Sequence, residues 1–139
     1  MSYQKIVIVG NLGKDPEMRY TPGGQAVTNF SVATNRSYTS SSGERVKETV
    51  WFRVSAWGRQ AETCNQYLNT GSQVLVEGRM TADKETGGPR IWETNDGSPR
   101  ASYEITAGRV VFLTKKGDDQ ETYQGGSPET DVVEDEIPF

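Results

Sequence analysis

Residues 49–58, TVWFRVSAWG, alternate with a period of two. Val50, Phe52, Val54 and Ala56 fall on one face of an extended strand, and Trp51, Arg53, Ser55 and Trp57 on the other. The first set has the character of a core. The second does not suit open water, because a sheet with one wet side alternates apolar with polar residues, not with tryptophan. Any fold for this chain must bury one side of the strand and find a use for the other.

Most of the remaining sequence also reads as strand. KIVIVGNLG (5–13) is rich in β-branched residues, and its glycines permit a bulge or bend. Pro22-Gly23-Gly24 marks a turn, and QAVTNFSVATN (25–35) alternates after it. RSYTSSSGERVKE (36–48) reads as a polar, flexible loop or hairpin tip. Further strands are expected in 72–84 and 101–114, with turn signals between them around Ile91 and Trp92. One helix is predicted over 59–71, with Ala61, Cys64 and Leu68 as its apolar stripe and Gly71 as its C-terminal cap. Three strands, a helix and two strands is the order of the OB-fold, an all-β, five-stranded Greek-key barrel with one helix between strands 3 and 4. Other small barrels produce similar strings.

A chain of 139 residues holds one domain with residues to spare. The composition shifts at Lys116. Residues 1–116 carry all 15 Lys and Arg with 11 Asp and Glu, a net +4; residues 117–139 carry 8 acidic residues and no basic one, a net -8. The overall charge of -4 therefore describes neither part. We divide the chain into an OB-fold domain (1–116), a short disordered linker (117–130) and an acidic tail (131–139). A tail that only solvates has no need of an aromatic end, yet this one closes on Ile137, Pro138 and Phe139.

The chain has no histidine and a single cysteine, Cys64. Imidazole bases, Ser-His-Asp and Cys-His schemes and the usual zinc sites are thereby excluded. Cys64 lies on the apolar stripe of the helix and is expected to be core. No phosphate-binding loop of the GxxxxGK[ST] kind is present, and the densest carboxylates lie where nothing holds their geometry. We expect no catalytic residues, no metal, no cofactor and no enzymatic activity. No secretory leader is evident, and no apolar run approaches the roughly 18 residues of a membrane span. A cytoplasmic setting is the expectation, with no membrane partner.

Trp51, Trp57 and Arg53 are accompanied by aromatics in polar loops, Tyr38 and Trp92, and by Arg36, Arg45, Lys47, Arg59, Arg79, Lys84 and Arg90. Aromatic rings interleaved with cations form a site for unpaired bases: each base has a face to stack on and each phosphate needs a counter-charge. Stacking contributes about 1–3 kcal/mol per base and is nearly indifferent to base identity. Duplexes bind poorly to such a surface, because their bases already stack on one another. Two other classes share parts of this pattern. An OB-fold binder of RNA or of the translation type would use the same face, and a protein-interaction module would offer the tryptophans to a partner chain.

The stretches IVGNLGKDPEMRYTPGGQAVTNFSVAT (8–34), VKETVWFRVSAWGRQAE (46–62), YLNTGSQVLVEGR (67–79) and EDEIPF (134–139) make the chain resemble the bacterial single-stranded DNA-binding proteins. The resemblance implies an OB-fold subunit, a homotetramer, and single-stranded DNA wrapped over aromatic and basic surfaces. By matched position it implies stacking by Tyr38, Trp51 and Trp57 and phosphate contacts by Arg53, Lys5, Arg36, Lys47 and Arg59. It also implies that Asp135, Glu136, Ile137, Pro138 and Phe139 dock onto proteins of replication, recombination and repair. The hairpin from Met80 to Ser102 is longer than the family's; its usual tryptophan does not align, and Trp92 stands as the replacement. Arg79 and Lys84 complete the expected phosphate track. The linker is short: about 15 residues of flexible coil reach roughly 20–25 Å.

Overall fold

The computed structural model describes residues 1–113. The predicted linker and acidic tail lie outside the described residues. The order is β1 (Ile6–Leu12), β2 (Glu17–Tyr20), β3 (Ala26–Thr39), β4 (Arg45–Trp57), α1 (Arg59–Tyr67), β5 (Gln73–Met80), β6 (Ile91–Glu93), β7 (Pro99–Ala101) and β8 (Tyr103–Phe112). The main sheet runs β1-β5-β8-β4-β3-β2, and β1 also pairs with β3, which closes five strands into a barrel. This is the OB-fold expected from the sequence, with its helix between the third and fourth barrel strands.

Closure happens at one residue. Asn11 pairs with Gln73 on β5 and with Ala33 on β3, so β1 passes from one neighbour to the other there. Gly10 precedes the crossing, and the carbonyl of Ala33 occupies the space a side chain would need. All barrel pairings are antiparallel except β4 with β8, which run parallel from Phe52–Tyr103 to Ser55–Thr106.

The interior collects alternate residues from every barrel strand: Ile8, Phe30, Val32, Val54, Val76 and Ile105 are all buried. Phe30 and Val54 are register partners across β3 and β4. Of the apolar set read from the opening stretch, Val54 and Ala56 are buried; Val50 and Phe52, nearer the barrel mouth, are partly buried. The helix lies against β3 and β4. The buried Thr28 hydroxyl donates to the Ala61 carbonyl at 2.7 Å, which ties the helix to β3.

The structure departs from the sequence reading in four places. The helix ends at Tyr67, and its cap is Leu68, in extended conformation, not Gly71. Leu68 is buried all the same, because its amide still bonds the Cys64 carbonyl at 3.0 Å and the side chain drops into the core. Gly71 has φ of 90° in the next turn. Glu17–Tyr20 forms a short strand on the flank of β3. Residues 36–39 and 45–48 continue β3 and β4 as paired arms, so the loop shrinks to 40–44. Residues 91–101 form a separate two-stranded hairpin, β6–β7, inside the longer hairpin that the resemblance implies.

Candidate nucleic-acid interface

Register decides which side chains share a face. Along β4, Arg45, Lys47, Thr49, Trp51, Arg53, Ser55 and Trp57 have one parity, opposite to buried Val54 and Ala56. Trp51 keeps 52% of its surface exposed and Trp57 39%, so neither ring belongs to the core. Their partners on β3 are Ala33 for Trp51, Ser31 for Arg53, Asn29 for Ser55 and Val27 for Trp57. Ala33, Ser31 and Asn29 are small or polar and leave the Trp51 ring and the guanidinium standing above the sheet, whereas Val27 beside Trp57 is itself buried. Among the described residues, no ion pair engages Arg53, Lys47, Arg59, Arg79 or Lys84.

A cleft of about 490 Å³ adjoins this row, lined by Thr49, Trp51, Arg53, Ala101, Ser102 and Tyr103, among others. It lies between β4 and the junction of β7 with β8. Tyr103 was not singled out in the sequence. Its parity with Ile105 assigns it to the core, but it sits at the barrel mouth, 58% exposed, with its ring centroid 5.8 Å from that of Phe52. No sequence signal distinguishes a core-parity residue at a barrel's end from one at its middle.

The other candidates are distributed. Arg36 and Tyr38 pair with Glu48 and Val46, and so have the parity opposite to Trp51. Arg36 stacks 4.6 Å above the Tyr38 ring and pairs with Glu48 at 3.1 Å, so one face of that ring and much of that charge are already engaged. Lys5 pairs with Glu77 at 3.3 Å. Arg59 opens α1, Arg79 is exposed on β5, and Lys84 lies in the loop that follows. Trp92 is on β6, 40% exposed, and its indole N–H donates to the Ser102 hydroxyl at 3.4 Å. Arg90 anchors the base of that hairpin through Nε and Nη2 to Glu104 Oε2, at 3.1 and 2.8 Å. Asp135, Glu136, Ile137, Pro138 and Phe139 lie outside the described residues.

Burial pushes the Cys64 thiol up to about 12, so it stays protonated. Among the described residues, no group of three or more His, Cys, Asp or Glu is placed to hold a metal ion, and no helix is long and apolar enough to cross a membrane.

An OB-fold barrel that presents tryptophans and unpaired cations beside an open cleft belongs to the class of oligonucleotide-binding barrels. Residues 3–113 match the Single-strand binding protein family, and the chain belongs to that family. It is 38% identical over 128 residues to the single-stranded DNA-binding protein of Neisseria meningitidis, covering 92% of this chain and 67% of the relative. With the Wolinella succinogenes protein of the same description, identity is 37% over 123 residues, or 88% of this chain and 72% of the other. Among solved structures, a Plasmodium falciparum SSB in complex with ssDNA superposes with a TM-score of 0.67 at 28% identity, covering 82% of this chain and 97% of that one.

Proposed function

We propose that this chain binds single-stranded DNA without regard to sequence and shields it during replication, recombination and repair, in the cytoplasm at the nucleoid. The observation that carries this reading is the β4 row, where Trp51 and Trp57 flank Arg53 on an exposed face, with no ion pair to Arg53 among the described residues. Rings spaced along a strand accept successive bases, and the cations between and beyond them neutralise the phosphates. The Plasmodium relative, described as a complex with ssDNA, supports the same ligand. Trp51, Trp57 and Trp92 supply stacking surfaces, with Tyr38 contributing the ring face that Arg36 leaves open. Arg53, Lys47, Arg59, Arg79 and Lys84 supply charge directly; Lys5 and Arg36 do so by exchanging a carboxylate for a phosphate.

Assembly is part of the proposal. The edge of Ile6–Gly10 opposite β5 has no strand beside it among the described residues, and Val7 is exposed. An apolar open edge is a template for pairing, and a second copy of the chain is the partner that a homotetramer requires. The acidic tail recruits replication and repair enzymes, with the Phe139 ring in an apolar pocket and its carboxylate on a basic residue.

Titration of tryptophan fluorescence with unstructured thymine oligomers tests the binding reading. Strong quenching that is lost with duplex of equal length supports it. A preference for ribose oligomers points instead to an RNA binder, and no quenching points to a protein-interaction face.

A further inference from the structure

Gly13 follows β1, and its φ lies outside the left-handed region, so its backbone does not require glycine. Its amide donates to the Ser31 carbonyl at 3.2 Å, which ties this loop to β3. A Cβ on Gly13 would lie 2.7 Å from both Cη2 and Cζ3 of Trp51, and the three nearest atoms all belong to that ring. Carbon atoms in contact sit about 3.5–4.0 Å apart, so a methyl group here displaces either the loop or the ring. The loop is held by its hydrogen bond. The ring end is the free end of a side chain.

We infer that Gly13 is a positioning residue for Trp51, and that the missing side chain sets the ring's tilt for stacking. Trp51 reaches from β4 past its small partner Ala33 on β3, and its six-membered end comes to rest at Gly13. That rest covers part of the ring and leaves the remainder open beside the cleft that Arg53 and Tyr103 also line. A base stacked there meets a ring of fixed orientation rather than one that samples several rotamers, so less entropy is lost on binding. The inference rests on the reading of this face as the DNA-binding surface.

The test uses the full chain with Gly13→Ala, Trp51→Ala and the double variant, titrated with a thymine oligomer. A parallel set carries Trp57→Phe and Trp92→Phe, so that Trp51 alone emits. Gly13→Ala should shift the Trp51 emission before any DNA is added and lower affinity about three- to tenfold, a fraction of one stacking interaction. Its melting temperature should hold or rise slightly, because alanine restricts the unfolded chain. In the Trp51→Ala background the same change should have no effect on affinity. Unchanged emission overturns the inference, and so does an equal loss of affinity in that background. If Trp51→Ala leaves affinity intact, the binding face has been misread, while the DNA-free emission still decides the role of Gly13. If Gly13→Ala fails to fold, adding Trp51→Phe, whose shorter ring does not reach the methyl, should restore the fold; failure to restore it overturns the inference.

Discussion

Two hairpins carry the exposed tryptophans, and they are held in different ways. The β3–β4 hairpin is an extension of the barrel. Its register runs unbroken from Val27–Trp57 to Thr39–Arg45, and the residues behind Trp51 and Trp57 are Val54, Ala56 and their core neighbours. The β6–β7 hairpin pairs only from Ile91–Ala101 to Glu93–Pro99 and forms a sheet of its own. The Trp92 hydrogen bond to Ser102 and the Arg90 pair with Glu104 join it to the body. Tryptophans of similar exposure thus have unequal footing. A ring backed by a core is preorganised for a ligand, whereas a ring on an isolated hairpin loses entropy when it engages.

The largest effect should come from removing the footing of the first hairpin. Phe30→Ala empties core volume behind β4 and should cost about 3–5 kcal/mol in urea unfolding. Replacing 85–98 with a short Gly-Ser turn should change stability by about 1 kcal/mol or less, since no core residue is lost. Similar losses from the two changes would erase the distinction. Next come the rings themselves. Trp51→Ala and Trp57→Ala should each weaken binding to thymine oligomers by about 1–3 kcal/mol, and Trp92→Ala by about 1 kcal/mol or less, with melting temperatures little changed. Equal losses at all three positions would show that the footing is irrelevant.

Loosening the second hairpin should have a smaller effect. Glu104→Gln removes the charge that holds Arg90; Arg90 is exposed and Glu104 mostly buried, and with one partner open to water the pair contributes on the order of 1 kcal/mol. Faster amide exchange confined to β6 and β7 is the expected signature; exchange spread through the barrel would contradict it. The smallest effect is a titration. The Thr94 hydroxyl, followed by the Ser98 backbone amide, lowers the Asp96 pKa in the β6–β7 turn. A carboxylate depressed in the folded state lends stability above its unfolded pKa and loses it as pH falls through the folded one. Amide signals of 94–98 should therefore shift on acidification below about pH 4, while those of β3 and β4 stay put.

The unequal footing also explains what the sequence made legible. Period-two alternation exists only where one side of a strand is buried, so the barrel part of β4 and its outward Trp51, Arg53 and Trp57 could be read directly. The arms 36–39 and 45–48 are almost wholly exposed and carry no alternation, so the sequence reads them only as a loop or hairpin tip, and the length of the paired arms is not visible in it. The strands β6 and β7 are fully exposed as well and carry no alternation, so the sequence shows only the long hairpin from Met80 to Ser102 that the resemblance implies, and not its inner pairing. The parity of Tyr38 would follow from Phe30 and Val32 once β3 is extended to Thr39, but the pairing of Arg36 with Glu48 needs the register across the tip. The helix end misled because Leu68 is apolar at the right spacing, yet reaches the core from an extended backbone. The seat of Trp51 on Gly13 joins residues far apart in the chain, and no local pattern announces it.

The position of β8 has a consequence for how the chain comes into being. It is the last strand among the described residues, yet it sits between β5 and β4, in the middle of the sheet order. A nascent chain emerging from the ribosome can zip β3 to β4 and β1 to β5, but it holds two raw edges until residues 103–112 arrive to fill the gap. Chains grow at roughly 5–20 residues per second, so the unfinished barrel persists for seconds with its strand edges open to wrong partners. Cooperative closure waits for the final strand, which acts as a keystone. A chain cut back to residues 1–100 should be sensitive to protease, and one that runs past residue 113 should be resistant.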